Sequence, residues 1–263
     1  MPPIEHIVQK AARRRHDTPL LFQHGAWHGA WCWQSWLDYF NELGYDVHAI
    51  SLPGHGRSPA LRHINRYTLG DYVRTLAGIV RQIRPAPVLI GHSMGGAILQ
   101  KYLETYYAPA VVMLAPVPAG GVRPMFIRLL RRYPLSTLKG ILTLNTYPWL
   151  ADTPRQMQQL LFGPQTAVDV PAFHAQLVRE SFAVGLQLMR PFARRPASHP
   201  PVRVYAGTAD ALFSVAEAQR TAARYAAECV LLPGQAHNLM QDPDWQTTAR
   251  LIDRWLVDEV GIA

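Results

Sequence analysis

The chain has 263 residues, of which 49% are hydrophobic, and a formal net charge of +8 at pH 7. That length accommodates one α/β unit with an insertion, and the apolar content supplies a core, so a disordered or fibrous chain is excluded. Two cysteines, Cys32 and Cys229, are too few for a disulfide framework and stand in no metal-ligand spacing, which points to free thiols and a reducing compartment.

The first residues do not read as a leader. Met1 to Lys10 carries Pro2, Pro3 and Glu5, and the basic run Arg13-Arg14-Arg15 is followed only by a short apolar strand. Nowhere do eighteen uncharged apolar residues follow one another, so a soluble cytoplasmic protein is expected. Strands are predicted over His6 to Ala11 and Leu20 to Gln23. The second runs into a glycine-rich loop, His24-Gly25-Ala26-Trp27-His28-Gly29, whose backbone amides can point into a cleft. A helix over Trp33 to Leu43, a strand over Asp46 to Ser51 and a helix over Leu69 to Ile83 follow.

Next comes the apolar strand Val88 to Gly91, which ends in Gly91-His92-Ser93-Met94-Gly95 and breaks into a helix over Ala97 to Tyr106. A serine on so sharp a strand-to-helix turn projects its hydroxyl outward, and the flanking glycines suit a turn that larger side chains would not clear. Ser93 is therefore the candidate nucleophile. The amides of Met94, the residue after it, and of Ala26 are the predicted oxyanion donors.

After a strand over Val111 to Pro116 the rhythm breaks. Residues 117–195 hold several prolines, no clear strand, and helical fragments over Arg123 to Tyr133, Leu135 to Leu144, Thr153 to Phe162 and Pro171 to Phe192. This segment reads as a helical cap over the rim of the sheet, with residues 1–116 and 196–263 as the core domain. It carries ten basic residues against Asp152, Asp169 and Glu180, hence +7 of the chain's +8. Arg123, Arg128, Arg131 and Arg132, interleaved with Met125, Phe126, Ile127, Leu129 and Leu130, form a basic amphipathic pattern that suits an anionic lipid surface or an anionic acyl substrate. A solvated face is the plainer alternative. No nucleic-acid-binding module accompanies the charge, so no nucleic-acid partner is expected.

The remaining strands each deliver a chemically useful residue. Val202 to Gly207 leads to Asp210, and Cys229 to Leu232 leads through Pro233-Gly234-Gln235-Ala236 to His237. A serine hydroxyl needs a base, and the base needs a carboxylate to fix its tautomer. The chain order Ser93, Asp210, His237 suits loops at the carboxyl ends of neighbouring parallel strands. Asp210 as a cap for the next helix, Val215 to Ala227, and His237 as an ordinary loop histidine are the bland alternatives. A last helix is predicted over Pro243 to Val260. Buried strands alternating with helices predict an α/β fold, a mainly parallel central sheet with helices on both faces.

His24-Gly25, Leu52-Pro53-Gly54-His55-Gly56-Arg57-Ser58, Gly91-His92-Ser93-Met94-Gly95-Gly96, Asp210 and His237 together resemble the α/β-hydrolase superfamily over nearly the whole chain. The oxyanion-loop stretch from His24 to Trp33 is similar to small esterases and hydroxynitrile lyases, and the nucleophile turn to monoglyceride lipases and lysophospholipases. The resemblance implies an α/β-hydrolase fold with an inserted cap, a Ser93-His237-Asp210 triad, an Ala26 and Met94 oxyanion hole, and a small-molecule ester substrate with no cofactor. One departure is Ser51, where the superfamily often has Asp. Trp27, His28 and His92 are candidate pocket residues, Trp27 because it adjoins the predicted donor. Its neighbours Trp31 and Trp33, and Met113, Met125, Met157 and Met189, suit a hydrophobic substrate group or plain core packing. His24 and His28 have a metal-pair spacing only on a helix, so no metal is expected. Lyase-like or haloperoxidase-like chemistry, thioester or amide substrates, and a non-catalytic ligand receptor stay open, as does the oligomeric state.

Overall fold

The apolar runs fold as one seven-stranded sheet in the order β1-β3-β2-β4-β5-β6-β7, in a computed structural model that describes residues 4–262. Residues 1–3, the beginning of the stretch read above as no leader, lie outside the described residues. The strands are β1 (His6–Gln9), β2 (Leu20–Gln23), β3 (Val47–Ile50), β4 (Val88–His92), β5 (Val111–Leu114), β6 (Val202–Gly207) and β7 (Glu228–Leu232). β1 pairs antiparallel with β3, and every other pair is parallel. Registers such as Gln23↔Gly91, His92↔Leu114 and Gly207↔Leu232 bring the carboxyl ends of the strands to one rim.

Side-chain alternation along these strands feeds two cores, as a sheet covered on both faces requires. Leu21, Leu89, Val111 and Met113 pack with buried residues of α2 (Leu69–Val80) and α3 (Met94–Tyr102). Leu20, Phe22, Val88, Ile90, Val112 and Leu114 pack with α1 (Gln34–Glu42) and α11 (Trp245–Arg254). Each fully buried Leu, Ile or Phe contributes about 1.5–3 kcal/mol of transfer free energy. Trp33, Met113 and Met157 are fully buried core residues and take no part in the rim.

Between β5 and β6 lie six helices: α4 (Arg123–Arg132), α5 (Pro134–Leu142), α6 (Tyr147–Ala151), α7 (Pro154–Leu161), α8 (Val170–Gln176) and α9 (Phe182–Leu188). The single helix expected over Pro171 to Phe192 is thus two, and α6 was not anticipated. The chain breaks because residues 177–181 are held by distant partners. The Val178 amide donates to the Trp27 carbonyl at 2.9 Å, Glu180 reaches His55, and Ser181 caps α9 by accepting from the Val184 amide. α10 (Val215–Arg224) begins with a capping box of Ser214 and Glu217. Helix α11 widens into a π-helical turn over Trp255–Val260, ended by Gly261 at φ 75°.

Candidate active site

β4 ends at His92, and α3 starts at Met94, so the whole reversal falls on Ser93. Its φ of 54° and ψ of −115° lie in a region that favours glycine. Three hydrogen bonds hold it there: the Ser93 amide to the Leu114 carbonyl at 3.0 Å, and the Ser93 carbonyl from Val117 at 3.0 Å and Ala97 at 3.3 Å. The turn closes only because its glycines lack a Cβ. One added at Gly95 would stand 2.4 Å from the Gln23 carbonyl oxygen, and one at Gly25 would stand 3.1 Å from the Ser93 Cβ.

The three residues singled out by chain order meet. His237 Nε2 lies 3.0 Å from Ser93 Oγ, and His237 Nδ1 lies 2.8 Å from Asp210 Oδ2. All three are largely shielded from solvent, with the His237 and Asp210 side chains 2% and 3% exposed. A carboxylate oxygen only accepts, so Nδ1 carries the proton and the Nε2 lone pair faces the serine. Asp210 Oδ1 is occupied by the amides of Leu212 at 2.7 Å and Phe213 at 3.0 Å. The cap of α10 is Ser214, so Asp210 is not spent on that helix.

Ala26, Trp27 and Met94 line the cavity that Ser93 opens into. The Met94 amide stands in the first turn of α3 and has no carbonyl one turn back to bond. The walls are apolar, from Val117, Val122, Met125, Trp149, Leu188 and Phe213 among others, with Thr146 and Glu180 as polar members. No lysine or arginine lines it. Thr146 Oγ1 accepts from Trp27 Nε1 at 3.1 Å, and Phe213 stands edge-on to the His237 ring at 5.3 Å. Sequence reasoning missed Thr146, Trp149, Glu180 and Phe213. Glu180 had one signal, being among only three acids in a basic insertion, and the others had none.

His28 and His92 line other sides of the same loops rather than the cavity. His92 Nε2 donates to the His237 carbonyl at 3.0 Å, and its Nδ1 is buried without a partner. Burial, reinforced by the nearby His237, holds His92 well below the ordinary imidazole value, and burial brings His28 down to about 4. His24 is likewise held low by burial, and its Nε2 accepts from the Leu52 amide at 3.0 Å. Among the described residues no group of three His, Cys, Asp or Glu side chains could hold a metal ion.

Two further carboxylates brace the rim. Glu180 Oε2 accepts from His55 Nε2 at 2.9 Å, and its Oε1 accepts from the Tyr72 hydroxyl at 2.6 Å, tying the inserted helices to the loop after β3 and to α2. Ser51, the unusual residue before Leu52, donates to Glu5 Oε2 at 2.6 Å, and the Arg57 amide donates to the same oxygen at 2.8 Å. Glu5 thus supplies that loop with the carboxylate that Ser51 lacks.

The likenesses to known proteins agree with this architecture. An Oryza sativa protein named "Probable esterase PIR7A" is 35% identical over 106 residues, 38% of this chain and 40% of that protein. Polyneuridine aldehyde esterase of Rauvolfia serpentina is 32% identical over 117 residues, 42% of this chain and 44% of that protein. The chain therefore spans less than half the length of these curated relatives in the matched region. The crystal structure of Paleococcus ferrophilus monoacylglycerol lipase superposes with a TM-score of 0.71 at 21% identity, covering 97% of this chain and 99% of that one, which is a likeness of fold. Ser93, Asp210 and His237 stand beyond the carboxyl ends of β4, β6 and β7 of a mainly parallel sheet, the profile of the Alpha/beta hydrolase family matches residues 20–250, and the chain belongs to that family.

Proposed function

We propose that this chain is a carboxylic ester hydrolase that acts on neutral, hydrophobic acyl esters through an acyl-enzyme on Ser93. The observation that carries the reading is the unbroken line of hydrogen bonds from Asp210 through His237 to Ser93 Oγ at the mouth of an apolar cavity. Ser93 Oγ attacks the ester carbonyl while His237 Nε2 takes its proton, and Asp210 stabilises the resulting imidazolium. The amides of Ala26 and Met94 receive the oxyanion, a contribution of roughly 3–4 kcal/mol for one well-placed donor. His237 then gives its proton to the departing alcohol, and water activated by the same imidazole releases the acid. Protein groups supply every role, so the reaction as written uses no cofactor.

The cavity favours this reading over its rivals. Cyanide departing as an anion would meet no Lys or Arg in the cavity. For the same reason an anionic acyl group fits poorly, which leaves the charge of residues 117–195 to act outside. We read that segment as a cap, with Val122, the residue before α4, and Met125 of α4 walling the cavity from within. Outside, Ile127, Leu130, Leu135, Leu138 and Leu142 of α4 and α5 are exposed beside Arg123, Arg131 and Arg132. That pairing of apolar and cationic side chains fits the surface of an anionic lipid aggregate. Arg128 stands apart from it, bound to Glu217 at 3.0 Å.

Labelling with a fluorophosphonate probe, combined with turnover of esters graded by acyl length and charge, tests the proposal. Ser93 is expected to take the label and neutral acyl esters to be hydrolysed. Slow labelling without turnover of any ester of the series would instead point to a receptor or a lyase.

A further inference from the structure

Beside the Ser93 line stands a second set of buried polar groups that acyl transfer leaves without a task. His28 is 2% exposed and Asn238 is 1% exposed. His28 Nδ1 lies 2.6 Å from the Ala26 carbonyl oxygen, and its Nε2 lies 3.3 Å from Asn238 Nδ2. A carbonyl only accepts, so Nδ1 carries the proton, and a ring kept neutral by burial then offers a lone pair at Nε2. Asn238 must therefore present its NH2 to His28, and its Oδ1 is left buried without a partner. The amide forgoes an acceptor bond in order to donate in this direction.

These contacts link three loops into one circuit. His92, the residue before Ser93, holds the carbonyl of His237; Asn238, the residue after His237, holds His28; and His28 holds the carbonyl of Ala26. The peptide that His28 grips precedes Trp27, whose φ is 64° and whose own carbonyl is bonded to the Val178 amide. A tryptophan in that left-handed region is strained, and rotation of the peptide before it is the natural way to relax. Rotation there changes the Ala26 ψ and shifts the loop that carries the Ala26 N–H, a group of the preceding peptide, away from the oxygen it is to receive.

We propose that His28 and Asn238 are positioning residues that hold the oxyanion loop in register with Ser93 and His237. The inference rests on the acyl-transfer reading above, in which the Ala26 amide is a donor. Displacement by a fraction of an ångström is enough to weaken a donor whose whole effect depends on alignment.

The test compares the wild type with His28→Leu, His28→Gln and Asn238→Leu in ester turnover, fluorophosphonate inactivation rate and thermal unfolding. In His28→Leu, kcat is expected to fall by about ten-fold or more with KM within about two-fold, and phosphonylation to slow in parallel, because both steps use the same donors. His28→Gln keeps an N–H for the Ala26 carbonyl and should recover part of the loss. Asn238→Leu, which leaves the Asn238 main-chain bond to Leu161 intact, should fall between them. It carries the test if His28→Leu does not fold. Folded variants with unaltered kcat, or with a loss confined to KM, overturn the proposal while the hydrolase reading stands. A wild type that neither labels nor turns over removes the hydrolase reading, and this inference with it.

Discussion

Ser93 occupies a backbone conformation that costs a residue with a side chain on the order of 1–3 kcal/mol, and its three main-chain hydrogen bonds resist relaxation. In the acyl-transfer reading proposed above, activity and stability are thereby set against each other at one position. Ser93→Gly is expected to abolish turnover and yet to be more stable than Ser93→Ala by about 1 kcal/mol in denaturant titration, since only glycine adopts this φ freely. Asp210→Asn is expected to keep the fold and lower kcat by about 10⁴-fold, because an amide facing His237 Nδ1 donates where an acceptor is needed and imposes the wrong tautomer. Equal rates for Asp210→Asn and wild type in ester hydrolysis would contradict this. Residues of this kind were legible because each follows a buried strand and is fixed by nearby main chain. Thr146 and Glu180 were not, since their places at the cavity depend on how six helices between β5 and β6 fold against the strand ends; Phe213 stands just after Asp210, but nothing in its type or spacing marks it as a wall of the cavity.

Elements were legible to the extent that they are locally determined. All seven strands and most helices are evident from apolar runs and caps, whereas the break between α8 and α9 depends on His55, 125 residues away from Glu180. The junction of β2 and α3 is likewise a long-range contact. Gly95→Ala would place a methyl against the Gln23 main chain, and neither side is a flexible side-chain tip. The expected result is a loss of about 1–3 kcal/mol in unfolding free energy together with reduced labelling of Ser93. The exposed face of α4 and α5 makes a different prediction. Replacing Arg123, Arg131 and Arg132 with Glu should reduce sedimentation with anionic vesicles several-fold and flatten its salt dependence, while leaving hydrolysis of a short, freely soluble ester unchanged.

At the scale of the whole molecule, buried histidines set the response to pH, with opposite signs. His24, His28 and His92 are held below their usual value by burial, so the unfolded chain takes up protons that the folded chain refuses. Stability from these groups is complete above the unfolded value of 6.5 and is lost as pH falls, by about 3 kcal/mol for His28 alone as pH approaches 4. His55 runs the other way. Burial opposes its charge, yet the Glu180 carboxylate outweighs burial and leaves the ring above its usual value. Its contribution is present below pH 6.5 and fades as pH rises through that higher value. Denaturant midpoints measured across pH should therefore fall on the acid side, less so in His28→Gln, and the alkaline decline should be smaller in Glu180→Gln.

Glu5 gives the edge strand a reach beyond its own hydrogen bonds. Its carboxylate is the shared anchor of Ser51 and of the Arg57 amide, and between these two lies His55, which in turn grips Glu180. Trimming the amino terminus through Glu5 would thus slacken a chain of contacts that runs from the outermost ribbon to helices whose side chains line the cavity. Glu5, at the far edge of the sheet, would make itself felt as a looser cavity wall.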